Sequence, residues 1–183
     1  SDYLLTEASY LRIQFGYLAS AVIIGTIMQL LMFGAMSGAF ALLDHVVIPW
    51  QLTGKIIALA LFSSVVWTSF NLLILSFGSR VTTMSGIATI VGTAAGFFAG
   101  VYMPIGAVPS GAQALMKMTP FPYNAAAYRQ ILLQQPLATT FTGKQEAARA
   151  SFEKMLGVRI DVNGLLSSSH TYLILIGFTL GVS

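Results

Sequence analysis

The sequence predicts an all-α integral membrane protein: a polytopic helical bundle with an interfacial or re-entrant helical hairpin and a small polar extracytoplasmic insert. Three long runs contain no Asp, Glu, Lys or Arg: Ile13 to Leu43, Ile56 to Ser79 and Val81 to Met116. A helix of about 20 apolar residues crosses a bilayer. Only 8% of the 183 residues are charged, against about 25% in soluble domains. We therefore expect lipid to surround much of the chain.

Composition also excludes several classes of function. The formal net charge is +3 with no cluster of Lys and Arg, so no nucleic-acid partner is expected. The chain has no cysteine, which excludes disulfides, thiolate metal sites and a cysteine nucleophile. Gly54-Lys55 and Gly143-Lys144 lack the other residues of an ATP-binding loop. We expect no cofactor, no metal and no catalytic residue, and hence not an enzyme.

The first element predicted is an amphipathic helix over residues 1–15, on the cytoplasmic surface of the membrane. Leu4, Ala8, Leu11 and Phe15 recur at helical spacing and form one apolar stripe. A simple lead-in turn to the first span is the alternative. Spans are then predicted over residues 16–41, 55–77 and 84–102. The chain reads as one transmembrane domain, and we expect it to be a piece of a longer protein.

Glycines recur at small-residue spacing in two of these spans. Gly92, Gly96 and Gly100 form a stripe in the third span, and Gly34 and Gly38 repeat the pattern in the first. Small residues at this spacing let two helix backbones approach closely in lipid. The stripes fit either packing within this chain or a seam between subunits.

Prolines punctuate the segment after the third span and predict an interfacial hairpin over residues 104–134. Two short helices, Ser110 to Met118 and Asn124 to Leu133, are expected within it, each too short to cross a bilayer. A polar insert should follow over residues 135–168. The apolar stretch at 169–183 should begin a last span.

Local patterns predict the structure of the polar insert. Thr142 and Gln145 fit a helix capping box, and Gly157 fits the stop of that helix. Arg149 and Glu153 are spaced to form an ion pair on it. After the helix, apolar residues alternate with charged ones, which is the pattern of a short strand: Val158, Ile160 and Val162.

Few polar groups lie within the predicted spans. Gln29 and Asn71 either hydrogen-bond between helices or line a translocation pathway. His45 and His170 fit solvated positions at the membrane interface better than ligand positions. The basic residues Arg12 and Arg80 favour the cytoplasmic side. That orientation places residues 44–50 and 142–164 outside.

The order of elements resembles the later part of a type-2 ABC transporter permease. The local match is Gly100-Val-Tyr102-Met-Pro104, followed by Pro109, Pro120 and Arg129. That family commonly shows Gly-x-x-x-Pro at the end of its fifth span, a nearby proline, an interfacial helix, and a Pro followed by an Arg-bearing helix. Tyr3 to Gly16 also looks like the family's segment between its second and third spans.

The resemblance implies a permease subunit of an ATP-driven exporter, multi-pass in a bacterial inner membrane. Two permease subunits, as a homodimer, would form the substrate pathway, and separate nucleotide-binding subunits would hydrolyse ATP. Glu7 and Arg12 would lie on the coupling surface. The gate or hairpin would include Tyr102, Pro104, Pro109, Pro120 and Arg129. The alternatives are a non-transport membrane scaffold or assembly protein and a passive channel.

Overall fold

A computed structural model describes residues 2–43, 45, 47–76, 81–141, 145–162 and 164–180. Within these, the side chains of residues 2–11, 75, 76, 81–85, 87, 88 and 146 are outside the description. Every regular element of the described chain is helical, which confirms the all-α class. The helices are α1 (Asp2–Leu43), α2 (Thr53–Ser76), α3 (Val81–Phe98), α4 (Ser110–Lys117), α5 (Phe121–Thr140), α6 (Glu146–Leu156) and α7 (Ser168–Leu180).

Two helical segments are long and apolar enough to cross a membrane. They are Arg12–Leu43, with mean hydropathy 2.0, and Trp50–Ile74, with mean hydropathy 1.9. These correspond to the first two predicted spans. In the described part of the third predicted span, the apolar helical stretch is shorter and covers Thr89–Phe98.

The chain divides after Thr68 into two compact units. In the first unit, α1 and the first part of α2 pack along small and polar side chains. Thr26, Ser63 and Ser64 are buried there beside Ile56 and Ala60. A Cβ added at Gly25 would lie 3.2 Å from the Ser64 hydroxyl, so the two helices are close at this point.

The entry to the first span differs from the prediction. Residues 1–15 were expected to form a separate surface helix before a span at 16–41, but α1 is one helix from Asp2 to Leu43. Gly16 is the only residue near that junction with a weak helix preference. A single glycine costs a helix only about 1 kcal/mol, which does not stop it.

The third helix also ends earlier than its predicted limit at residue 102. α3 stops at Phe98, and Gly100 takes a left-handed conformation with φ of 69°. The Gly100 amide donates to the Phe97 carbonyl, and the Val101 amide donates to the Gly96 carbonyl, each at 3.0 Å. This pair of bonds is the Schellman arrangement, in which a glycine closes a helix.

The hairpin consists of one short and one long helix. α4 covers Ser110–Lys117, one residue shorter than the predicted Ser110 to Met118, but α5 runs from Phe121 to Thr140 rather than from Asn124 to Leu133. The predicted boundary at residue 134 is therefore wrong, because Pro136 lies inside α5. Proline removes one backbone hydrogen bond from a helix, and here the helix continues through it.

The polar insert contains a helix and an irregular segment. α6 ends at Gly157 (φ of 67°), and Arg149 Nε pairs with Glu153 at 2.8 Å, which confirms both predictions. The predicted strand over residues 158–162 is wrong, since the segment makes one isolated bridge between Asp161 and Leu165. The capping residue Thr142 lies outside the described residues. α7 begins at Ser168, close to the predicted start.

Candidate functional site

Arg129 lies on α5 in the second unit, and the hydrogen bonds that its side chain donates within the described residues go to backbone carbonyls. Its Nη2 atom is 3.1 Å from the Ala99 oxygen and 3.0 Å from the Gly100 oxygen. Its Nη1 atom lies 3.5 Å from the Gly157 oxygen. We call these four residues the Arg129 capping site. It joins α5 to one segment about 30 residues earlier in the sequence and to another about 30 residues later.

Both segments are the carboxyl ends of helices. α3 closes at Gly100, and α6 closes at Gly157 with the same Schellman pattern: Gly157 to the Lys154 carbonyl at 3.3 Å and Val158 to the Glu153 carbonyl at 2.9 Å. The last carbonyls of a helix carry a partial negative charge. One guanidinium therefore stabilises two helix ends at once.

The two glycines of the site are required by its geometry. A side chain with φ near 67° is strained at either position. A Cβ at Gly157 would also lie 2.9 Å from the Ile105 side chain and 3.2 Å from Arg129 Nη1. At Gly100 the nearest atom would be the Met103 oxygen at 3.4 Å. Glycine thus allows the chain to turn directly beneath the guanidinium.

The charge of Arg129 has no carboxylate partner among the described residues. Its half-buried position lowers its pKa through desolvation, but an arginine side chain remains protonated at neutral pH. A partly buried cation of this kind depends on its hydrogen bonds for stability. The carbonyls of Ala99, Gly100 and Gly157 supply them.

Three predicted prolines start or bound the turns around this site. Pro104 precedes the 3-10 turn Ile105–Ala107 and accepts the Ala107 amide at 2.9 Å. Pro109 accepts the Gln113 amide at 3.0 Å at the start of α4. Pro120 is fully buried and precedes α5. Because proline fixes φ, these residues hold the hairpin in one path.

Tyr102 lies close to Gly96 rather than deep in the site. The residue is mostly exposed, and its ring packs at a tilt of 52° against Phe97, with 4.9 Å between the ring centres. A Cβ at Gly96 would lie 2.5 Å from Tyr102 Cε2. Gly96 is therefore covered by a side chain of its own chain, not by another helix backbone.

The rest of the glycine stripe faces open space in the described structure. At Gly92, Gly34 and Gly38 an added Cβ would meet no atom within 4 Å. Both readings of the stripes, packing within this chain and a seam between subunits, stay predictions for these three positions. Gly100 belongs to the Arg129 capping site.

The predicted pathway and coupling residues do not belong to the Arg129 capping site. Gln29 Nε2 donates to the Ser64 hydroxyl at 2.8 Å, so Gln29 makes the interhelical hydrogen bond expected of it. Asn71 is exposed on α2, in the second unit. Their role in a pathway is untested. Arg12 is exposed on α1, and the Glu7 side chain is outside the description, as are residues 44 and 80.

Sequence reasoning missed the polar groups that surround the capping site. Glu153 is buried and lies near two arginines, Arg149 at 2.8 Å and Arg159 at 3.7 Å. Gln130 donates to the Val158 carbonyl at 2.8 Å. The i, i+4 spacing of Arg149 and Glu153 was the only local signal. The other contacts join separate elements.

Comparisons with protein families, with curated proteins and with solved structures found no match for this chain.

Proposed function

We propose that this chain is a permease subunit of an ATP-driven ABC exporter of the type-2 class. Two such subunits form the substrate pathway, and separate nucleotide-binding subunits supply the energy. The chain is multi-pass in the inner membrane of a bacterium. Arg12 and Arg80 face the cytoplasm, while the hairpin and the polar insert face outside.

The observation that carries the proposal is the contact between the two halves of the resembled motif. Gly100 begins the Gly-x-x-x-Pro segment, and Arg129 belongs to the helix that follows Pro120. The Arg129 guanidinium lies 3.0 Å from the Gly100 carbonyl. A shared physical task, closing α3 beneath the hairpin, explains why these residue types would occur together.

The long helices and their composition support the membrane placement that the proposal requires. α1 and α2 provide two apolar segments of spanning length. The sequence has no ATP-binding loop of its own. In the proposal, a nucleotide-binding subunit supplies the energy for transport, and the first turns of α1, with Glu7 and Arg12, are the contact for it.

The decisive experiment tests for that ATPase chain and then for coupling through α1. The full-length protein is purified in mild detergent and examined for a co-purifying nucleotide-binding subunit, and the complex is reconstituted in liposomes. Reversing both charges, Glu7→Lys with Arg12→Glu, should reduce substrate-stimulated ATP hydrolysis. Exposed charges contribute about 0–1 kcal/mol each, so the expected reduction is partial.

Lys55→Glu is the matched control, because Lys55 is an exposed charge at the start of α2. It should leave coupling unchanged. Normal coupling in the double variant would show that α1 does not contact the ATPase subunit. If no ATPase subunit associates, the transporter proposal fails. Passive flux without ATP would then identify a channel. The absence of any flux would favour a scaffold.

A further inference from the structure

A cavity of about 200 Å³ lies between α4, the turn Ile105–Ala107, α6 and the segment that follows α6. Its floor is apolar and includes the buried side chains of Ile105 and Ile160, and the half-exposed Met155 also lines it. We call this cavity the lysine pocket. Its polar lining consists of Gln113, Lys117, Ser151, Lys154 and Asp161.

The lysine pocket carries two ammonium groups and one carboxylate. Lys154 Nζ lies 2.6 Å from Asp161 Oδ2. Asp161 Oδ1 also accepts the Gly164 amide at 3.0 Å. In the described part of the chain, the Lys117 side chain has neither an ion pair nor a hydrogen bond. One positive charge in the pocket is therefore not neutralised by a partner.

Asp161 is ionised at neutral pH, so the balance of charge in the pocket is positive. Its pKa lies below the ordinary value because of the hydrogen bond from Lys154, the Gly164 amide and the charge of Lys154. The charge of Lys117 lowers the pKa slightly further, which indicates that Lys117 is near this carboxylate. An anion entering the pocket would meet two cations that share one counter-charge.

The other side of α4 indicates where this pocket lies relative to lipid. Gln113 and Lys117 are one helical turn apart and line the pocket, whereas Leu115 and Met118 point away from it. Leu115 is 61% exposed and Met118 is 74% exposed. A short helix with cationic and amide groups on one side and bare apolar side chains on the other is typical of the membrane interface.

We propose that the lysine pocket binds the phosphate group of a membrane phospholipid. Lys117 and Lys154 would donate to the phosphate oxygens, with Ser151 as an additional donor, and the apolar floor would accept the start of the glycerol backbone. Asp161 competes with the phosphate for Lys154. The inference rests on the membrane placement in the proposed function but needs neither an ATPase subunit nor transport.

The test is lipid binding to the full-length protein in a neutral detergent, measured by native mass spectrometry. Phosphatidylglycerol is the probe, and diacylglycerol with the same chains is the matched ligand without phosphate. Lys117→Gln should weaken phosphatidylglycerol binding about fivefold, the effect of about 1 kcal/mol in a partly exposed site. Asp161→Asn should strengthen it, because Lys154 loses its competitor.

Two variants control for non-specific effects. Lys55→Gln removes an exposed lysine outside the pocket and should bind like the parent, as should Lys117→Arg, which keeps the charge. Thermal unfolding of each variant confirms that it is folded. If Lys117→Gln is not folded, unchanged binding in Lys117→Arg together with stronger binding in Asp161→Asn supports the inference, and any other result in these two variants contradicts it.

Several results would overturn the inference. Unchanged binding in folded Lys117→Gln, weaker binding in Asp161→Asn, or equal binding of diacylglycerol would each exclude a phosphate site. Displacement of the lipid by inorganic phosphate at equal concentration would show a soluble anion as the ligand instead. None of these results depends on whether an ATPase subunit co-purifies.

Discussion

The two units of this chain are stabilised in different ways. In the first unit, only 6% of the apolar window of α1 is buried, so most of its apolar side chains are exposed in the isolated chain. In the second unit, Phe121, Tyr123 and Ala126 are buried, and several polar side chains donate hydrogen bonds to backbone carbonyls. Tyr123, for example, donates its hydroxyl to the Lys117 carbonyl at 2.9 Å.

This difference indicates where each unit obtains its stability. A bare apolar helix is stable when lipid or another subunit covers it. The Gln29–Ser64 bond adds one specific contact to such a helix pair. The second unit instead depends on helix ends that are closed by glycine and capped by Arg129. Mutations should therefore affect the two units to different degrees.

The largest effect should come from removing the guanidinium. Arg129→Met leaves the carbonyls of Ala99, Gly100 and Gly157 without this donor, and bonds to a charged group are worth about 1.5–3 kcal/mol. We expect a loss of about 2–3 kcal/mol in the free energy of unfolding of the full-length protein in detergent. Hydrogen exchange should increase at the ends of α3 and α6.

Two substitutions control that measurement. Arg129→Lys keeps the charge but lacks the planar guanidinium with its several donors. Its free energy of unfolding should therefore lie between those of the parent and Arg129→Met. Lys55→Met removes an exposed charge and should change stability by about 0.5 kcal/mol or less. If Arg129→Met were as stable as the parent, the second unit would not depend on the capping site, and the contrast between the units would disappear.

A pair of glycine substitutions should give effects of opposite sign. Gly157→Ala should destabilise by about 2 kcal/mol or more, because its left-handed backbone alone costs about 1–2 kcal/mol and its Cβ would lie 2.9 Å from Ile105. Gly177→Ala, within α7, meets no atom within 4 Å. It should stabilise by up to about 1 kcal/mol through helix preference. Thermal unfolding measures both, and equal effects would contradict the prediction.

The smallest effect concerns the first unit. A double-mutant cycle of Gln29→Leu and Ser64→Ala should give a coupling energy near 0.6 kcal/mol, the average for such bonds between membrane helices. The free energy of unfolding in mixed micelles supplies the four values. A coupling above about 2 kcal/mol would show that this unit, too, is held mainly by an internal polar contact.

Short-range patterns predicted the parts of the second unit that depend on neighbouring residues. The start of α4 follows from the prolines before it, the stop of α6 from Gly157, and the Arg149–Glu153 pair from a spacing of one helical turn. The partners of Arg129 could not be predicted, because they are backbone carbonyls of other elements. A side-chain pattern contains no signal for a carbonyl that a turn exposes.

The wrong predictions of where α1 begins and where α5 ends have a common physical origin. Gly16 and Pro136 were expected to bound elements, yet α1 and α5 continue through them. The cost of an unfavourable residue inside a helix is a few kcal/mol at most, and tertiary contacts can exceed it. In α5, Leu137 directly after the proline is buried, which favours keeping this turn helical.

The continuity of α1 has a mechanical consequence. At about 1.5 Å per residue, its 42 residues measure about 63 Å, roughly twice the hydrocarbon thickness of a bilayer. No proline interrupts it, so it behaves as a stiff rod rather than as two hinged pieces. A tilt of about 10° around its midpoint would move each tip by about 5 Å in opposite directions. Displacement applied to its amino-terminal turns would thereby produce an opposite movement at its carboxyl end.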